Sequence, residues 1–197
     1  AVVGRGRVAD GGDAAGAVRG GGEGHADGAV GLPGAPNVSS HGGIVGGNVA
    51  LTGPPCSFPD VAYSPEADCY LVVWDDYAVA GLPAIRGRLL KIGPAGLLPQ
   101  PTFAVSDPAD RSFYPAVAYN PTAREFLVTW DREDAQGISI TVYGRRIRAS
   151  DGAPQQAGFR IGSAASVQRS AAAWSTTSQR YLVAYSNFDN AFARFIS

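Results

Sequence analysis

Two kinds of charged residue recur at matched places along this chain, and they are its best candidates for chemistry. Asp75 and Asp76 follow the run Tyr70-Leu71-Val72-Val73-Trp74, and Asp131, Glu133 and Asp134 follow Phe126-Leu127-Val128-Thr129-Trp130. Paired carboxyls are what glycoside hydrolysis requires, one as acid and one as base or nucleophile, about 5–9.5 Å apart. Here the spacing places the acids on one rim of successive repeats, where the expected role is to end a strand at the solvent boundary. Arg88, Arg145 and Arg194 form the second set, each after a Gly or Ala: Gly87-Arg88, Gly144-Arg145 and Ala193-Arg194. If each arginine strand lies beside its acid-bearing strand, Arg88 with Asp75 and Arg145 with Asp131 are expected to pair across it. Ser186 stands where a third Asp would be. The alternative for a row of arginines on a rim is contact with an anion, a sugar or a partner.

Other templates for catalysis are missing. The sequence has no Gly-x-Ser-x-Gly elbow, no His-Glu-x-x-His and no Cys-x-x-Cys. Its two histidines, His25 and His41, both lie in a Gly-rich stretch, a poor support for a site that needs rigid positioning. No catalytic residue, metal site or cofactor is therefore expected. A net charge of −1 gives no general attraction to nucleic acid. The apolar runs span about five residues, far short of the roughly 20 that cross a bilayer as a helix. Cys56 and Cys69 sit at opposite ends of a predicted hairpin, roughly 20 Å apart or more, too far for a disulfide.

The elements that must position these charges come from a repeat. Phe58-Pro59-Asp60-Val61-Ala62-Tyr63, Tyr114-Pro115-Ala116-Val117-Ala118-Tyr119 and Ser170-Ala171-Ala172-Ala173-Trp174 each lead into an aromatic run, the third being Tyr181-Leu182-Val183-Ala184-Tyr185. The interval is about 55 residues, a period that signals a repeat architecture. Between the two runs lie Ser, Pro, Asn and Thr, which favour turns. The second run is β-branched, aromatic and continuously apolar, so it reads as an inner strand buried on both faces. The one Tyr and one Trp per hairpin read as core. A third strand carries the arginines. A fourth follows a Gly/Pro loop at Thr102–Val105 and Phe159–Ile161, with an earlier copy at Asn48–Leu51.

The expected fold is thus all-β, a β-propeller-like array of about three four-stranded antiparallel blades. Fewer than four blades leaves such an array incomplete or open. Residues 1–9 read as a partial blade strand and 10–46 as a Gly-rich loop or arm, with Gly at 13 of 37 positions. Residues 47–197 hold the repeats, with copies near 57–107, 113–163 and 169–197.

The phrases Val-Ala-Tyr-x-Pro, Tyr-Leu-Val-Val-Trp-Asp and Tyr-Gly-Arg-Arg-Ile resemble a propeller-like repeat of secreted and periplasmic proteins from high-GC bacteria. The resemblance covers about residues 48–197. It implies an extracytoplasmic location, periplasmic or secreted, and it brings no defined active site. The absence of Met and the start at Ala1 fit a mature, trimmed chain. The expected function is a non-catalytic scaffold or structural subunit that docks into a larger assembly through strand edges and the Gly-rich arm. Its expected partners are proteins or further copies of itself. The alternative is a lectin-like module that binds a glycan.

Overall fold

The computed structural model describes residues 49–53, 55–77, 82–94, 96–134, 136–137, 140–163, 168–187 and 189–197. The expected strand at 1–9 and arm at 10–46 lie outside the described residues. Among the described residues there is no helix, and eleven strands form three antiparallel sheets.

The first sheet runs β1 (Cys56–Ser64), β2 (Cys69–Asp76), β3 (Ala84–Gly93) and β4 (Gly96–Ala104), in that order. The second repeats it as β5 (Arg111–Asn120), β6 (Glu125–Glu133), β7 (Ile140–Arg148) and β8 (Phe159–Ser163). The third has β9 (Gln168–Ser175), β10 (Arg180–Ser186) and β11 (Ala191–Ile196), ordered β11-β10-β9. Among the described residues β11 pairs only with β10. Residues 49–51, expected as a fourth strand, pair with none of these strands. No described arginine strand lies beside them to supply the ladder.

Local chemistry sets each first hairpin in the same register. Tyr63 faces Tyr70, Tyr119 faces Phe126 and Trp174 faces Tyr181 across directly opposed positions. Their ring centroids lie 4.7, 5.0 and 4.7 Å apart, close enough for favourable tilted or edge contacts. The turn between the strands is tied by a side chain that accepts backbone N–H groups. Ser64 Oγ accepts from Ala67, Asn120 Oδ1 from Thr122 and Ala123, and Ser175 Oγ from Ser178. Asp68, Arg124 and Gln179, with φ of 45°, 54° and 52°, close the three turns.

The sheets stack face to face. Leu71, Val73, Ile85, Leu89 and Val105 of the first sheet's side meet Val117, Phe126, Val128, Trp130 and Ile147 of the second. Leu127, Val142 and Ile161 on the second sheet's other face meet Trp174, Tyr181 and Val183 of the third. Within each sheet, Gly87 and Gly144 leave room for side chains of the adjoining fourth strand. A Cβ on Gly87 would lie 2.9 Å from the Phe103 ring, and one on Gly144 would lie 2.7 Å from Ile161.

β2 and β6 are buried on both faces, as expected of an inner strand. β10 is not: its residues alternate between buried and exposed. No described element covers its second face, so identical-looking sequence occupies a different environment. The aromatic expectation also divides. Trp74 and Trp130 are buried, whereas Tyr63 is exposed and hydrogen-bonds Asp68 at the turn, 2.8 Å away. Both cysteines are free: Cys56 opposes Asp76, at the far end of the hairpin from Cys69.

Candidate functional site

Four of the sequence's charged candidates, Asp75, Asp131, Arg145 and Arg194, bond across the seams between sheets. Asp75 and Asp131 are 0% and 1% exposed, which corrects their expected place at a solvent boundary. Each accepts a backbone N–H from the next sheet: Asp75 Oδ1 from Tyr114 at 2.9 Å, and Asp131 Oδ2 from Arg169 at 2.8 Å. Those donors are turned outward by an irregular step in the first strand of the receiving sheet. Phe58, Tyr114 and Arg169, at matching positions, all have positive φ (49°, 52° and 48°). The ladder slips between Ser57 and Asp60, between Phe113 and Ala116, and between Gln168 and Ala171. Such a bulge re-aims backbone groups at a chosen point. Here that point is a carboxylate of the preceding sheet.

Burial raises both carboxyls. Asp75 is pushed up to about 7, with the Tyr114 N–H and the Tyr77 hydroxyl pulling it down and the charge of Asp131 adding a further push upward. Asp131 also rises to about 7 through burial, offset by the backbone N–H and charge of Arg169. Enclosed and hydrogen-bonded in this way, neither carboxyl is placed to touch a substrate.

The expected Arg–Asp pairs do not form. In the ladder Arg88 faces Val72 and Arg145 faces Val128, while Asp75 faces Ile85 and Asp131 faces Val142. The Arg sits three positions out of step with the acid. Arg145 is buried and reaches back to the first sheet, donating to the Val105 carbonyl at 2.7 Å and to Asp107 at 2.8 Å. Arg194 donates in the same sense to the Ile161 carbonyl of the second sheet. Arg88 instead donates to Thr102 Oγ1 within its own sheet, 3.1 Å away. The two seams therefore share one pattern: an acid reaches forward to a bulge, and an arginine reaches back to a carbonyl in the fourth strand or directly after it.

Arg145→Lys should cost about 1–2 kcal/mol in denaturant unfolding, since a single ammonium lacks the fork that spans both acceptors. Arg145→Ala should cost more. Unchanged midpoints for both would remove Arg145 from the seam.

A surface cleft opens where the bulges meet. Phe58 and Tyr114 pack edge to face, with centroids 4.7 Å apart. The Arg169 guanidinium lies 5.1 Å from each ring centroid, a double cation–π contact. Together with Asp60, Pro115 and Ala171 they line a cleft of about 430 Å³. Asp60 spans it, accepting from its own Val61 N–H and from Val117 N–H at 2.8 Å. Sequence reasoning did not single out Phe58, Tyr114 or Arg169. A signal was present in Pro59 and Pro115, because Pro within a strand run marks an edge or a bulge.

No group of three or more His, Cys, Asp or Glu among the described residues is arranged to hold a metal ion. No described helix is long and apolar enough to cross a membrane. Comparison with models of known protein families and with curated proteins found no match.

Proposed function

We propose that the three sheets are propeller-like blades and that the protein is a non-catalytic docking scaffold acting outside the cytoplasm. The blade reading is supported by the meeting of Phe58, Tyr114 and Arg169, three matching residues from three sheets, in one cleft. Sheets fanned about an axis bring equivalent first-strand residues together there. The extracytoplasmic placement rests on the repeat's resemblance to secreted and periplasmic proteins.

One observation carries the docking role. The outer face of the third sheet presents Ala171, Ala173, Leu182, Ala184, Ala193 and Phe195, all exposed. Leu71 and Leu127, which match Leu182, are both 0% exposed because a following sheet covers them. A contiguous apolar sheet face of this kind marks an interaction surface.

A second reading, a lectin-like module, is favoured by the cleft itself. Aromatic rings beside an exposed cation suit the face of a sugar and its hydroxyls. Photo-crosslinkers placed at positions 195 and 169, used in native extract beside a glycan array, separate the two. We expect protein adducts at position 195 and no glycan retained. Glycan binding that Arg169→Ala abolishes, with no adduct at 195, would overturn the scaffold reading.

A further inference from the structure

Each seam has a giving and a receiving half. The giving face of the third sheet is exposed. On the first sheet's receiving face Val72, Trp74 and Leu90 are buried with Leu51 packed on them, while the edge at Val61 is exposed. The giving halves are Leu71, Val73 and Asp75 in the first sheet and Leu127, Thr129 and Asp131 in the second. Their counterparts in the third sheet are Leu182, Ala184 and Ser186. Leu182 is 39% exposed, and its cross-strand neighbour Phe195 is 60% exposed. The receiving halves comprise a bulge, a central aromatic strand and a back-reaching arginine: Tyr114, Val128 and Arg145, then Arg169, Val183 and Arg194. Their counterparts in the first sheet are Phe58, Val72 and Arg88, and there the arginine folds back on Thr102.

The outer edge of this receiving half is open. Val61 is 55% exposed, while the matching Val117 is buried in the seam between the first two sheets. Leu51 packs on Val72, Trp74 and Leu90. Val105, which directly follows the preceding sheet's fourth strand, occupies the comparable place in the core with Trp130. The third sheet, in turn, has no fourth strand among the described residues. The exposed face of the third sheet and the open edge of the first are halves of a contact the protein already makes twice.

We infer that a second copy of this chain docks head to tail, its first sheet seated on the exposed face of the third. This names the partner within the docking reading above and rests on it. In that arrangement residues 49–51 of one copy lie along β11 of the other and complete its four-stranded sheet. Arg88 then gains the backward acceptor that Arg145 and Arg194 have. The contact joins two different faces, so it generates a ring if the rotation closes. A chain net charge of −1 opposes the association little.

The test is sedimentation equilibrium of the full chain over a micromolar dilution series. The wild type is expected to contain two copies. Leu182→Lys with Phe195→Glu blocks one face, and Leu51→Asp with Val61→Asp blocks the other, so each double variant alone should be a single copy. An equimolar mixture should regain two copies, because one intact pair of faces survives. Folding is checked by circular dichroism. Val61→Asp alone replaces the second variant if the change at Leu51 disturbs the sheet. A wild type that stays single throughout overturns the inference, as does failure of the mixture to associate, since pairing of a face with its own copy gives no such rescue. A single-copy protein that still forms adducts with other proteins at position 195 overturns the second copy as partner and leaves the docking reading standing.

Discussion

Trp130→Ala should destabilise the fold by about 3–5 kcal/mol, a large share of the roughly 5–15 kcal/mol that holds a domain together. The indole is 2% exposed and lies in the core between the first and second sheets, with Val105 on one side and Val128 and Ile147 on its own. Its Nε1 has no hydrogen-bond partner, so the loss is of packing rather than of a polar contact. Removing the ring opens a cavity that stiff, paired strands cannot close. Trp130→Phe should recover much of the loss. Tyr63→Ala is the control, because that ring is exposed at the turn and should cost far less. The readout is the denaturant midpoint. A loss for Trp130→Ala below about 1 kcal/mol would mean that the two sheets are not joined through this ring.

The hairpins were legible in the sequence because their determinants are side chains acting over a few residues. Facing aromatics such as Tyr119 and Phe126 set the register, and Asn120 or Ser64 ties the turn. The seams were not legible, because half of each contact is backbone. Asp75 bonds an N–H at Tyr114, and Arg145 bonds a carbonyl at Val105. Main-chain groups leave no mark in residue type, so an acid after a tryptophan reads as a strand end and an arginine reads as its partner. The bulges that aim those N–H groups had only Pro59 and Pro115 to announce them, and the third copy has Ser170 in that place. The exposed face of the third sheet was equally hidden. Tyr-Leu-Val-Ala-Tyr reads like its two relatives, and burial depends on what lies beyond the sheet rather than on the run itself.

The buried acids also set how stability responds to pH, in a direction opposite to ordinary acid denaturation. Asp75 and Asp131 both rise from 3.8 to about 7 in the folded protein, chiefly because burial disfavours the charged form. Between those values the folded state holds protons that the unfolded chain has released. The favourable contribution is therefore fully present below about pH 4 and is lost as pH climbs through about 7. Each group contributes on the order of 2–4 kcal/mol across that window. Glu125, also raised by burial, acts in the same direction. The exposed Glu66 and Asp151, lowered by hydrogen bonds to Tyr119 and to the Ala153 N–H, act oppositely and only at the acid end. The melting temperature should thus be higher at pH 5 than at pH 8. Asp75→Asn with Asp131→Asn keeps a carbonyl for each bulge N–H and removes the charge, so the profile should flatten and the variant should gain most at pH 8. A wild type that is more stable at pH 8 than at pH 5 would show that these carboxylates are ionised within the seams, with hydrogen bonding outweighing burial.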